Sequence, residues 1–197
     1  MPIKKSFIVF FCVLMASGVL AQVDPDPNGL GIYFDQNATL VSTTVEEGTE
    51  TVTAYLILTN PSVEGNLIHW SAGISSYLDT PGNTAVTGFN VHGQNLALNM
   101  PGSANWIFEV SVNDDPPFPT TENTILAEIM IWPMVYDVPI NLYVTLGYES
   151  GGYGTDNGGA EFHPSSGSWN LPVAVINGQA PVATESYTLS RVKSLFR

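Results

Sequence analysis

Positive charge is nearly absent from this chain. Of its five Lys and Arg residues, two stand at Lys4 and Lys5 and three in the last seven positions, so Gln22–Ser190 contains no base at all. Without a basic groove a protein cannot neutralise phosphates, and nucleic acid is excluded as a partner. Cysteine is almost absent too. The one thiol, Cys12, lies in an apolar leader, so no disulfide can staple the remainder. No long hydrophobic run occurs. The longest, Phe7–Met15, has nine residues, against the roughly 20 that a membrane helix needs. Thr124–Met134 is interrupted by Glu128. His69, His92 and His163 are scattered without zinc-ligand spacing, and no Gly-x-Ser-x-Gly elbow occurs. With no Lys or Arg in the body, no cationic side chain is there to stabilise an oxyanion, though backbone amides could. The sequence therefore predicts a non-enzymatic protein.

What is present begins with an address. Lys4 and Lys5, the apolar run, and Val19 and Ala21 at the −3 and −1 positions read as a secretory signal peptide over 1–21. The expected mature chain starts at Gln22, has 176 residues and carries a formal charge of −15. It is expected to be exported to the periplasm, cell surface or medium, with no transmembrane span. Such an acidic surface repels anionic polymers and attracts cations or basic partners.

Period-two patterning dominates the body. Val52, Ala54, Leu56 and Leu58 alternate with Thr53, Tyr55, Ile57 and Thr59. Trp106, Phe108, Val110 and Val112 alternate with Ile107, Glu109 and Ser111, and Ile140, Leu142 and Val144 with Asn141, Tyr143 and Thr145. Trp70 falls in phase with Ile68, Ala72 and Ile74, and Trp132 with Glu128, leaving Ile125, Ile129 and Ile131 for the opposite face. One-sided strands of this kind, separated by turns such as Glu47-Gly48, Asn60-Pro61 and Pro101-Gly102, predict an all-β fold. The expected architecture is an antiparallel β-sandwich or jelly roll of about nine strands over 22–178. A linker and short basic amphipathic helix follow in 179–197. Gly147–Ser168, rich in glycine, reads as a long loop presented at one end of the sandwich.

Several residues are candidates for a site. Asp24, Asp26, Asn28 and Asp35 fit positions 1, 3, 5 and 12 of an EF-hand-type loop, with Gly29 at position 6. Alternating oxygen ligands around a glycine turn can wrap Ca2+, although Pro25 and Pro27 stiffen the loop. Gly151–Asp156 matches the start of a β-roll calcium repeat, and Glu149, Asp156 and Glu161 could hold a cation there. Ca2+ is thus a possible cofactor, and no other is indicated. Trp132, Tyr55 and Tyr143 fall on polar faces, where exposed rings can stack on sugars. In the tail, Leu189, Val192, Leu195 and Phe196 recur at helical spacing beside Arg191, Lys193 and Arg197. Such a stripe suits either docking onto the acidic body or a sorting signal.

Four segments, GLGIYFD (29–35), TAYLILTNPS (53–62), PVAVING (172–178) and VKSLFR (192–197), resemble a group of secreted bacterial one-domain β-sandwich proteins with a short basic tail. That group often has Trp-Gly where this chain has Leu189-Ser190. The resemblance implies the architecture and brings no catalytic residue. Cohesin-like and carbohydrate-binding sandwiches are analogous in shape only. The functional expectation is binding or surface assembly with a protein or polysaccharide partner. Sugar binding through exposed aromatics, and hydrolysis by a carboxylate pair, remain the alternatives.

Overall fold

A computed structural model describes residues 26–76, 84–91, 94–95, 105–112, 116–147 and 151–181, with backbone only for 84–91, 94–95 and 105. Every regular element among them is a strand. In chain order these are β1 (Gly29–Tyr33), β2 (Ser42–Thr43), β3 (Val52–Thr59), β4 (Leu67–Ser75), β5 (Thr84–Val91), β6 (Gln94–Asn95) and β7 (Asn105–Ser111). They continue with β8 (Asn123–Pro133), β9 (Ile140–Leu146), β10 (Gly152–Thr155), β11 (Gly158–Glu161), β12 (His163–Pro164) and β13 (Ala174–Ile176). The expected leader and the basic helical stripe lie outside the described residues.

Two sheets result. One has five strands in the order β12-β1-β3-β8-β5, and the other runs β11-β10-β4-β9-β13-β2 with β7 and β6 attached through β4. Their inward residues meet in one core, including Leu30, Leu56 and Ile129 from the first sheet and Trp70, Phe108 and Val144 from the second. The Trp70 and Phe108 rings pack with centroids 5.7 Å apart. Alternation drives this arrangement, because a strand with apolar residues on every second position must bury that face.

The expectation of about nine strands, all antiparallel, is corrected. Thirteen strands occur among the described residues, and two pairings, β1 with β12 and β13 with β2, are parallel. The additional strands, β6, β10, β11 and β12, are two to four residues long, too short to display a period in the sequence.

Bulges also shift the expected faces. Leu56 pairs with Ala127 and Ile57 with Ile125, so Leu126 is an extra residue in β8. Leu126 and Ala127 are both buried, and Ile125 moves to the outward face. There it joins a second, smaller cluster of Tyr33, Ala38, Val41 and Ile57, against which Tyr55 and Ala180 also pack. A bulge between β4 and β10 skips Ile68, leaving Leu67 buried and Ile68 exposed, against the expected phase.

The largest correction concerns Gly147–Ser168. Strands β9 and β10 lie along one edge of β4: Leu146 pairs with Ala72, and Gly152 with the adjacent Ser71. Residues 147–151 therefore intervene within a ladder that resumes in step. From Gly152 the chain forms a hairpin, β10 to β11, turning at Asp156-Asn157. The hairpin is anchored from within. Tyr153 and Phe162 are buried with ring centroids 5.6 Å apart. The Tyr153 hydroxyl donates to Asn28 Oδ1 at 2.9 Å and accepts from the Val63 amide at 3.1 Å.

Candidate functional site

The outward face of the second sheet holds a groove. Burying Trp70 and Ala72 forces His69 and Ser71 outward on β4. The register then sets Ser71 between Glu109 of β7 and Gly152 of β10, with Glu161 of β11 opposite Gly152. Three of the four strands supply a polar side chain to this row, and β10 supplies only a glycine. The trough over Gly152 has a volume of about 280 Å³, with His69, Ser71, Glu109 and Glu161 on its walls. A Cβ added at Gly152 would stand 2.7 Å from the Ala160 carbonyl oxygen, so a larger residue is not accommodated there. One position along, the His69 ring covers Gly154 and closes that end. The Ser71 hydroxyl donates to Glu109 Oε1 and fixes that carboxylate on the groove wall.

The groove offers acceptors: two carboxylates, a hydroxyl and a carbonyl at the floor. It suits a ligand that brings donors or positive charge. His69, Ser71 and Glu109 were not singled out from the sequence. Their signal was only that they occupy the polar phase of β4 and β7, which any solvated strand shows.

The calcium candidates divide. Asp24 and Glu149 lie outside the described residues. Asn28 precedes β1 and Asp35 follows it, so an extended five-residue strand separates them. That spans about 17 Å at roughly 3.4 Å per residue, so Asn28 and Asp35, expected with Asp24 and Asp26 as ligands of one EF-hand-type loop, are held apart by a strand. Asn28, at φ 63°, instead joins two segments, its Oδ1 accepting from the Ser62 amide at 2.8 Å as well as from Tyr153. Asp35 closes a local turn. Its Oδ1 accepts from the Thr39 and Leu40 amides, each at 2.8 Å, and its Oδ2 from the Thr39 hydroxyl at 2.7 Å. Burial alone raises the Asp35 pKa, but hydrogen bonds from Thr39, Leu40 and Asn37 outweigh it, and the carboxyl sits below its ordinary value. Asp156 binds the Asn66 amide at 2.9 Å and Asn66 Nδ2 at 2.8 Å, tying the hairpin tip to the segment before β4. Among the described residues no three His, Asp or Glu side chains gather as a metal site.

The aromatic candidates divide as well. Trp132 is 44% exposed on the outward face of the first sheet, and Tyr55 is half-buried on the same face, opposite Glu128. Tyr143 is buried at 4% exposure, which corrects its expected place among exposed rings. Trp70 and Trp106 are buried and Trp169 packs against the core. The tail residues Leu189, Arg191, Val192, Lys193, Leu195, Phe196 and Arg197 lie outside the described residues. No described helix is long and apolar enough to cross a membrane.

No protein-family model matches the chain, and no curated protein matches it. Among solved structures, the solution structure of CaCohA2 from Clostridium acetobutylicum is similar, with a TM-score of 0.48. It is 11% identical, and the match covers 81% of this chain and 94% of that one.

Proposed function

We propose that the chain is an exported, non-enzymatic binding module of a surface assembly, and that the groove over Gly152 receives a cationic side chain from a protein partner. The observation that carries this reading is the placing of Glu109 and Glu161 on opposite walls of one trough. The body that holds it has no base of its own between Gln22 and Ser190. Carboxylates on the walls of one trough are good receptors for a guanidinium or ammonium group.

The test is an NMR titration of the mature chain with short arginine- and lysine-containing peptides. Amide shifts should concentrate at His69, Ser71, Gly152 and Glu161 and vanish in E109Q/E161Q. Shifts scattered over the acidic surface would overturn the reading. So would turnover of glycosides that is lost in either single Glu→Gln variant, because the same carboxylates would then be a hydrolytic pair. A second reading, sugar binding at the first sheet, is favoured by the exposed Trp132 ring. Its platform is reduced to Trp132 and Tyr55, and Trp132→Ala should abolish retention on polysaccharide gels if it holds.

A further inference from the structure

The outward face of the first sheet displays an apolar stripe. Tyr55 pairs with Glu128, and Met130 and Trp132 follow on the same side of β8. Met130 is 39% exposed and Trp132 44%. At about 3.4 Å per residue, the stripe from Glu128 to Trp132 is about 14 Å long. Three observations bear on what covers it.

First, the chain itself arrives there. Ala180 packs against the outward cluster of Tyr33, Ala38, Val41 and Ile57, the same cluster that Tyr55 adjoins. The chain therefore leaves Ala180 at the outward cluster of the first sheet, on the face that carries Tyr55, and not on the groove face of the second sheet. Second, residues 182–197 follow. Seven connecting residues, 182–188, reach up to about 23 Å at roughly 3.3 Å each, more than the length of the stripe. The apolar positions Leu189, Val192, Leu195 and Phe196 then recur at a spacing that covers a face of similar length. Third, the charges complement one another. Arg191, Lys193 and Arg197 are the only bases beyond position 5, and Glu128 stands within the stripe.

From these we propose that the segment Leu189–Arg197 of this chain docks on the outward face of the five-stranded sheet, its apolar side over Met130 and Trp132 and its bases toward Glu128. Docking removes two large apolar side chains from water and covers a face that would otherwise invite association. It also competes directly with sugar binding at Trp132. The inference does not depend on the groove.

The experiment uses the mature chain 22–197, which has no cysteine of its own, and introduces Leu195→Cys with either Met130→Cys or His69→Cys. Mild oxidation should close an intramolecular disulfide in the Met130 pair and not in the His69 pair, which reports the groove face. With single cysteines, maleimide should label position 130 about tenfold more slowly than position 69. Leu195→Asp with Phe196→Asp should remove that protection while circular dichroism stays unchanged. Equal labelling rates, a disulfide favouring position 69, or cross-linked dimers in place of monomers would each overturn the proposal, the last by making a second copy the occupant.

Discussion

The two outward faces of this molecule are built by the same alternation and end in opposite chemistry. On the five-stranded sheet the outward positions of β3 and β8 include Ile57, Ile125, Met130 and Trp132, and part of that face is a small core of its own around Tyr33 and Ile57. On the larger sheet the outward positions of β4, β7, β10 and β11 around the groove are His69, Ser71, Glu109, Gly152 and Glu161, with Ile107 further along β7, and the surface dips where a side chain is missing. An apolar outward face demands cover, whereas a polar, glycine-floored one selects an occupant by hydrogen bonding and charge. The first is therefore a structural surface, and the second is the recognition surface of the function proposed above.

The sharpest way to break this contrast is to remove the apolar support of the first face. Ile57→Ala should lower unfolding free energy by about 2–5 kcal/mol, as for other fully buried aliphatic truncations. Urea titration measures it, and a loss under about 1 kcal/mol, well below that range, would mean the outer cluster adds little. Next in size is Gly152→Val. Crowding against the Ala160 carbonyl should cost about 1–3 kcal/mol and also abolish peptide shifts at the groove. Persisting shifts would move the binding site elsewhere. E109Q/E161Q should leave stability within about 0.5 kcal/mol of the parent, because the amide oxygen introduced at position 109 still accepts from Ser71. A larger change would make the pair structural.

The smallest effect concerns Asp35. Its folded pKa is depressed, so its contribution to stability is complete above the ordinary value of 3.8 and is lost as pH falls through the lower folded value. Asp35→Asn should flatten the stability profile in that acid window and leave its slope near neutrality unaltered. An unchanged acid slope would show that the turn hydrogen bonds do not distinguish the charged form.

Much of this was legible because period two is a robust signal. Trp132 outward and Trp106, Phe108 and Val110 inward follow from it directly. It fails at one-residue insertions. The bulges at Leu126 and Ile68 each reverse the phase on one side, so Ile125 and Ile68 point away from the core that their pattern predicts. A bulge depends on what lies across the strand, which a local pattern does not contain. The hairpin within Gly147–Ser168 was hidden for a different reason. Glycines occupy its strand positions, and its stability comes from Tyr153, Phe162 and the distant Asn28, not from a local hydrophobic repeat. The groove was illegible in turn, since it exists only once that hairpin lies beside β4. Asp35 and Asn28 had the right chemistry for a cation, but folding commits their oxygens to backbone amides and to side-chain hydroxyls.

The way β9 and β10 share one edge of β4 has a consequence for how the recognition surface can change. Leu146 and Gly152 pair with consecutive residues of β4, so the ladder resumes in step after the insert 147–151. Doubling the length of such an insert costs only about 0.6 kcal/mol of closure entropy. Glycine is required at the near end of the insert, because a Cβ at Gly147 would run into the Ser71 hydroxyl and the Glu109 carboxylate on the groove wall. A change of insert length is therefore compatible with the frame only where the glycine at position 147 is kept.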